Sequence, residues 1–301
     1  MSTSVERSPG PGSFRTWPWV LLFYAGLSAW YTWPLLRDAR TLIASDPGDP
    51  ILTASILWWD ATTWPFSAAW WNAPHYYPSQ GVAAFTEHLV GLMPISAPVF
   101  WATGNPILAH NIAYFLAWPL TAFSGYLLVR LLTRRDDAAI VAGLAFGFSP
   151  YRITELPHIH MISAYSMAIV LYGCHAYLAD GRTRWLWIGG VSWILVALSN
   201  LYFMLFGGVL VGLWLVFFCS PRRMWGRGAA LCATFAAASL PLAPILYKYR
   251  VIHEHFGLRR GEQEAQYFSA RAHSWIEVSD LVWLWGHVFS PGKDNLFPGI
   301  T

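Results

Sequence analysis

Three short polar segments interrupt an otherwise apolar chain, and each carries residues able to move a proton or hold an anion. The first is Asp46-Pro47-Gly48-Asp49-Pro50, with two carboxylates in one tight stretch. A carboxylate partly desolvated by tryptophan and lipid becomes more basic, which suits it to take a proton from a hydroxyl. The same residues also describe a turn before a helix, with Asp49 as cap and Pro50 as first helical residue. The second is Thr86-Glu87-His88, either a further acid–imidazole pair or a helix start with Thr86 as cap. The third runs from Ser149 to His160. In it the Arg152 guanidinium matches phosphate in a bidentate way; its structural alternative is snorkelling to the interface. His158 and His160 share a face if extended and could take a metal, with Asp49 as an oxygen ligand, although no third ligand lies nearby in sequence. Lys248, Arg250, Arg259 and Arg260 form a later basic group that suits an anion or a solvated face.

The elements that must position these residues are membrane spans. Charged residues make up 12% of the chain, about half the roughly 25% of soluble domains. The apolar residues fall in long blocks divided by arginine-bearing breaks, the pattern of a polytopic membrane protein. Cys174, Cys219 and Cys232 all sit inside apolar blocks, which argues against a disulfide framework or a thiolate metal site. No phosphate-binding glycine loop, nucleophile elbow or zinc-spaced cysteine set is present, so neither a soluble nucleotide nor nucleic acid is implied. The expected spans are 17–36, 105–132, 138–151, 161–179, 185–199, 201–219 and 228–247, with 1–16 as a disordered cytoplasmic tail. The first block is too long and aromatic for a cleaved leader. Segment 88–103, with Pro94 and Pro98, lies in the interface or re-enters. If it crossed, Arg134/Arg135, Arg182/Arg184 and Arg222/Arg223/Arg227 could not all be cytoplasmic.

This reading gives an all-α protein of seven spans, N-terminus inside and C-terminus outside. The transmembrane module covers 17–247, with an external loop at 37–104 and an external, membrane-adjacent tail at 248–301. The loop should hold a helix over 50–64. Trp58, Trp59, Trp64, Trp70 and Trp71 should seat the loop among lipid headgroups.

The layout resembles the GT-C membrane glycosyltransferases, and more closely their poorly characterised bacterial members. The likeness rests on Gly48-Asp49-Pro50, Tyr77-Pro78, Glu87-His88, Gly104-Asn105-Pro106, Ser149-Pro150-Tyr151-Arg152 and Leu296-Phe297-Pro298-Gly299. It covers nearly the whole chain through short motifs. The resemblance implies a multi-helix module with interfacial helices in the first external loop. It implies a glycosyltransferase of the bacterial inner membrane, serving the cell envelope, with its active face outside. The donor would be a sugar on a polyprenyl phosphate; the acceptor would be a glycan, lipid or protein. Asp49, less surely Asp46, would be base or metal ligand, with Glu87 and His88 as catalytic partners. Arg152, His158, His160 and Arg250 would hold the donor phosphate, with a divalent metal as an optional cofactor. Family members continue with further spans beyond the point corresponding to Thr301, so a fragment or an inactive truncated homologue is a competing expectation. A transporter or lipid-binding protein is another. It calls for mid-membrane polar residues and an internal repeat, neither of which the sequence displays clearly.

Overall fold

The computed structural model describes residues 16–259 and 261–299. The expected N-terminal tail, apart from Thr16, lies outside them, as does Arg260. Among the described residues all regular elements are helical. The first half holds α1 (Trp17–Tyr31), α2 (Trp33–Arg37), α3 (Asp49–Thr62), α4 (Met93–Thr103), α5 (Pro106–Thr133) and α6 (Asp136–Gly147). Then come α7 (Pro150–Thr154), α8 (Ile159–Ile162), α9 (Tyr165–Asp180), α10 (Arg184–Ser199) and α11 (Leu201–Cys219). The chain closes with α12 (Trp225–Ser239), α13 (Ala243–Phe256) and α14 (Glu262–Tyr267).

Among the described residues four helical runs are long and apolar enough to cross a membrane: Pro106–Thr133, Ile159–Asp180, Leu201–Cys219 and Arg222–Phe256. The chain is therefore an integral membrane protein in character, with several shorter apolar helices packed beside these. Three expected spans come out differently. The block 17–36 breaks at Thr32, where Pro34 removes a backbone donor, giving α1 and α2. The block 138–151 becomes α6, whose 12 residues reach only about 18 Å against a hydrocarbon core of about 30 Å. The span expected to end at Tyr247 runs on through α13 to Phe256.

The helices run back and forth between two ends of a bundle. At one end Asn105 donates to Arg40 O and Asn111 donates to Ala39 O and Leu42 O, seating the loop after α2 on the start of α5. Asn200, between α10 and α11, caps α11 and donates to His160 O at this same end. At the other end Arg130 pairs with Asp136 at 2.5 Å, and Arg227 donates to Leu178 O. Tyr126, Tyr24 and Val20 join α1, α5 and α6 near that end.

Close approach depends on small residues. A Cβ on Gly147 of α6 would stand 2.5 Å from Ala122 Cβ and 2.7 Å from Ala122 Cα on α5. In segment 88–103, α4 packs against α3 and α5, and Gly91 lies against Leu195 and Ser199 of α10. Trp70 and Trp71 are 1% and 7% exposed, so they do not sit among headgroups as expected. They form the first loop's own core with Val82, Tyr249 and Ile252, because Tyr249 and Ile252 reach them from α13. Trp64, 83% exposed, keeps a position that suits the interface.

Candidate functional site

The polar segments converge at the end of the bundle where α3, α8 and the α10–α11 turn meet. Asp46 Oδ1 accepts from Gly48 N at 2.7 Å, which closes a turn and leads the chain into α3. Asp49 is the first residue of α3, and Gly48, not Asp49, occupies the cap position. The Asp49 carboxylate is thereby free to point across the bundle, and its Oδ2 lies 2.9 Å from His158 Nε2. On the other side of the ring, His158 Nδ1 lies 2.8 Å from Glu155 Oε2. Both carboxylates can only accept when ionised, so both ring nitrogens donate and the imidazole carries a positive charge. The hydrogen bond to Glu155, and then the charges of Glu155 and Asp49, raise the His158 pKa above its ordinary value despite partial burial. Tyr151 also hydrogen-bonds Glu155. Asp49 is 55% exposed on its side chain and Glu155 17%, so the outer acid meets solvent while the inner one is shielded.

A second pair lies beside the first. His160 Nε2 stands 3.6 Å from Glu87 Oε2, and the His158 and His160 rings meet edge to face at 5.7 Å. The Leu201 N–H at the start of α11 favours the ionised form of Glu87, as a helix N-terminus does. Burial outweighs that contact and the nearby His158 charge, and pushes the Glu87 carboxyl up to about 7. Neither Glu87 Oε2 nor His160 Nδ1 has a hydrogen-bond partner.

The remaining expected residues stand elsewhere. His88 points away from Glu87, 3% exposed among Phe66, Trp70 and Tyr249. Burial holds it neutral, with its pKa lowered to about 4, which makes it a core histidine. Thr86 caps no helix; its carbonyl accepts from Tyr249 Oη. Arg152 is 5% exposed and donates to Phe146 O, Met161 O and Ile162 O, so it ties α6 to α8 through backbone carbonyls and is not presented to an anion. Arg250 is exposed and pairs with Glu254 one turn on, away from the cluster. The metal reading of Asp49, His158 and His160 also fails on the donor set. Both His158 nitrogens face carboxylates, and among the described residues no three His, Cys, Asp or Glu side chains are arranged to hold a metal ion.

No family model, no curated protein and no solved structure matches this chain.

One part of the site, Glu155, gives no signal of its own in the sequence, and a buried acid outside it, Asp60, gives none either. Glu155 was read only as a loop residue, although its place three residues before His158 sets the pair on one turn. Asp60, at the C-terminal end of α3, is 1% exposed; Oδ1 accepts from Trp70 Nε1 at 2.8 Å and burial raises its pKa well above the usual carboxylate range. Beside the cluster runs an apolar groove of about 480 Å³, lined by Leu35, Leu42, Tyr114, Ile153, Leu156 and Trp283 among others. Ile153 and Leu156 stand close to Glu155 in sequence and Leu42 to Ala44 precede Asp46, so the chain segments that wall the groove lead into the cluster, while the cluster's own acids and histidines do not line it.

Proposed function

We propose that this chain is a membrane glycosyltransferase that moves a sugar from a polyprenyl-phosphate donor to an acceptor hydroxyl at the external face. The observation that carries the reading is His158 held between the Asp49 and Glu155 carboxylates, on chain segments that continue into the walls of an apolar groove. In this reading Asp49 is the base, reachable from solvent, that takes the acceptor proton as the new glycosidic bond forms. His158, fixed by Glu155, holds the direction of the Asp49 carboxylate. The groove takes part of the isoprenoid chain of the donor, and Arg37 and Arg40, two residues from Leu35 and Leu42 in sequence, are the cations offered to the departing lipid phosphate. Glu87 and His160 form the neighbouring acid–imidazole pair.

In this reading the four long runs and the shorter helices beside them make seven passes between the arginine-bearing end and the acid–histidine end: α1–α2, α5, α6 with α7, α8–α9, α10, α11 and α12–α13. The positive-inside tendency puts the arginine end in the cytoplasm and the cluster outside, in a bacterial inner membrane. The test uses the full chain in proteoliposomes with labelled polyprenyl-phosphate sugars and an envelope lipid fraction as acceptor. Asp49→Asn should lower transfer by about 10²- to 10⁴-fold. Wild-type transfer by Asp49→Asn defeats the assignment. Binding of the polyprenyl phosphate without transfer by the wild type favours a lipid-binding protein, a reading the groove also permits.

A further inference from the structure

The last long helical run returns to the end that carries Glu87 and fastens the segment leading into it. Tyr249 Oη on α13 donates to Thr86 O at 3.0 Å and reaches Ala83 O at 3.5 Å. One turn on, His253 Nε2 lies 2.6 Å from Ala84 O and must be the donor, because a carbonyl only accepts. Ile252 lies over Gly81, which turns the chain with φ of +76°; a Cβ there would stand 3.1 Å from Ile252 Cδ1. Phe256 meets Phe85 edge to face at 4.9 Å. Segment 81–86 has no strand partner, so side chains from α13 satisfy carbonyls that regular structure leaves open. Glu87 is the next residue, and its carboxylate faces His160 from α8 and Leu201 N–H from α11. The other charged or titratable groups within electrostatic reach are His158, Tyr249 and, beyond Tyr249, Asp60.

We propose that α13 is a strap that holds Glu87 in its buried seat against His160, with Tyr249 and His253 as positioning residues. It is a device of the proposed active site, and rests on that reading only for what Glu87 does there, not for where Glu87 sits. The strap connects the last long helical run to carbonyls more than 160 residues earlier, the last of them on the residue before Glu87, so displacement of α13 moves the backbone that carries the Glu87 carboxyl. The test follows Glu87 protonation by the carboxyl band in infrared difference spectra of the full chain in nanodiscs, assigned with Glu87→Gln. Tyr249→Phe and His253→Ala should each let water reach Glu87 and move its titration down from about 7 toward its ordinary value of 4.5. His253→Gln, which keeps an N–H near the same place, should restore the wild-type titration. An unmoved titration in folded Tyr249→Phe and His253→Ala overturns the proposal, as does a shift in His253→Ala that His253→Gln fails to reverse. Should Tyr249→Phe fail to fold, the two His253 variants, at a half-buried position, decide. Because the readout needs no sugar transfer, the strap can fail while the transferase reading stands, and the reverse.

Discussion

His158 sits between carboxylates from segments more than 100 residues apart, and its charge state follows from both. A histidine whose folded pKa lies above its unfolded value of 6.5 adds stability that is complete below that value and is lost as pH rises through the folded one. Glu155→Gln removes the largest cause of the rise. We expect its histidine NMR titration to show His158 moved down, and its deficit in thermal stability against wild type to be widest below about pH 6.5 and to narrow as pH rises through the raised folded value. Glu87 works through a different window. With its carboxyl near 7 when folded and 4.5 when unfolded, the native state binds the extra proton, so stability falls as pH rises between those values. Glu87→Gln keeps the shape without the titration and should flatten that part of the stability profile; an unchanged slope in calorimetry at pH 5 to about pH 8 counts against the burial argument. At this scale the sequence was legible where residue type alone announced chemistry, as at Asp49, Glu87, His158 and His160. It was not legible for Arg152, because three backbone carbonyls from α6 and α8 claim a guanidinium whose sequence context reads equally well as an anion site. Glu155 was hidden for the opposite reason: a loop acid acquires meaning only when the ring three residues on turns toward it.

The elements that carry these residues were readable when long and uninterrupted. α5 and α11 stand close to their expected ranges because apolar runs of 28 and 19 residues leave the backbone no alternative in a bilayer. α6 was misjudged because hydropathy reports what is apolar and not where the helix stops; it ends before Ser149-Pro150, where the proline disfavours helix in the preceding residue. α6 is instead held by contact with α5, and that contact is tight. Gly147→Val should destabilise the protein by about 1–3 kcal/mol, because the added side chain meets Ala122 main chain that has no soft direction to move. Gly212→Val on α11, where nothing stands within 4 Å, should leave the melting temperature near wild type. Equal losses at the two sites would mean that β-branching in the helix, not α5–α6 packing, sets the cost.

The molecule as a whole is polarised along the bundle. Arg130, Arg135, Arg182 and Arg227 gather at one end in bonds with Asp136, Asp137, Asp180 and Leu178 O. Asp46, Asp49, Glu87, Glu155 and two histidines gather at the other. α11, whose outward row of Leu205, Val209, Leu213 and Val216 is each 60% exposed or more, is 19 residues long and so spans about 28 Å, close to the hydrocarbon thickness. A bilayer matched to this apolar row has its planes at the two ends of α11: Asn200, which donates to His160 O, at one, and Cys219, followed by the Arg222–Arg223 pair, at the other. A bilayer set on these planes leaves Asp46 in one aqueous phase and Arg182 in the opposite one. In a cysteine-free background, Asp46→Cys should react with an impermeant maleimide only from outside intact cells, and Arg182→Cys only after the membrane is permeabilised. Reaction of both from the same side would remove the membrane from between the two clusters. The acid–histidine site would then lose the outer-leaflet setting in which a lipid-linked donor can reach it.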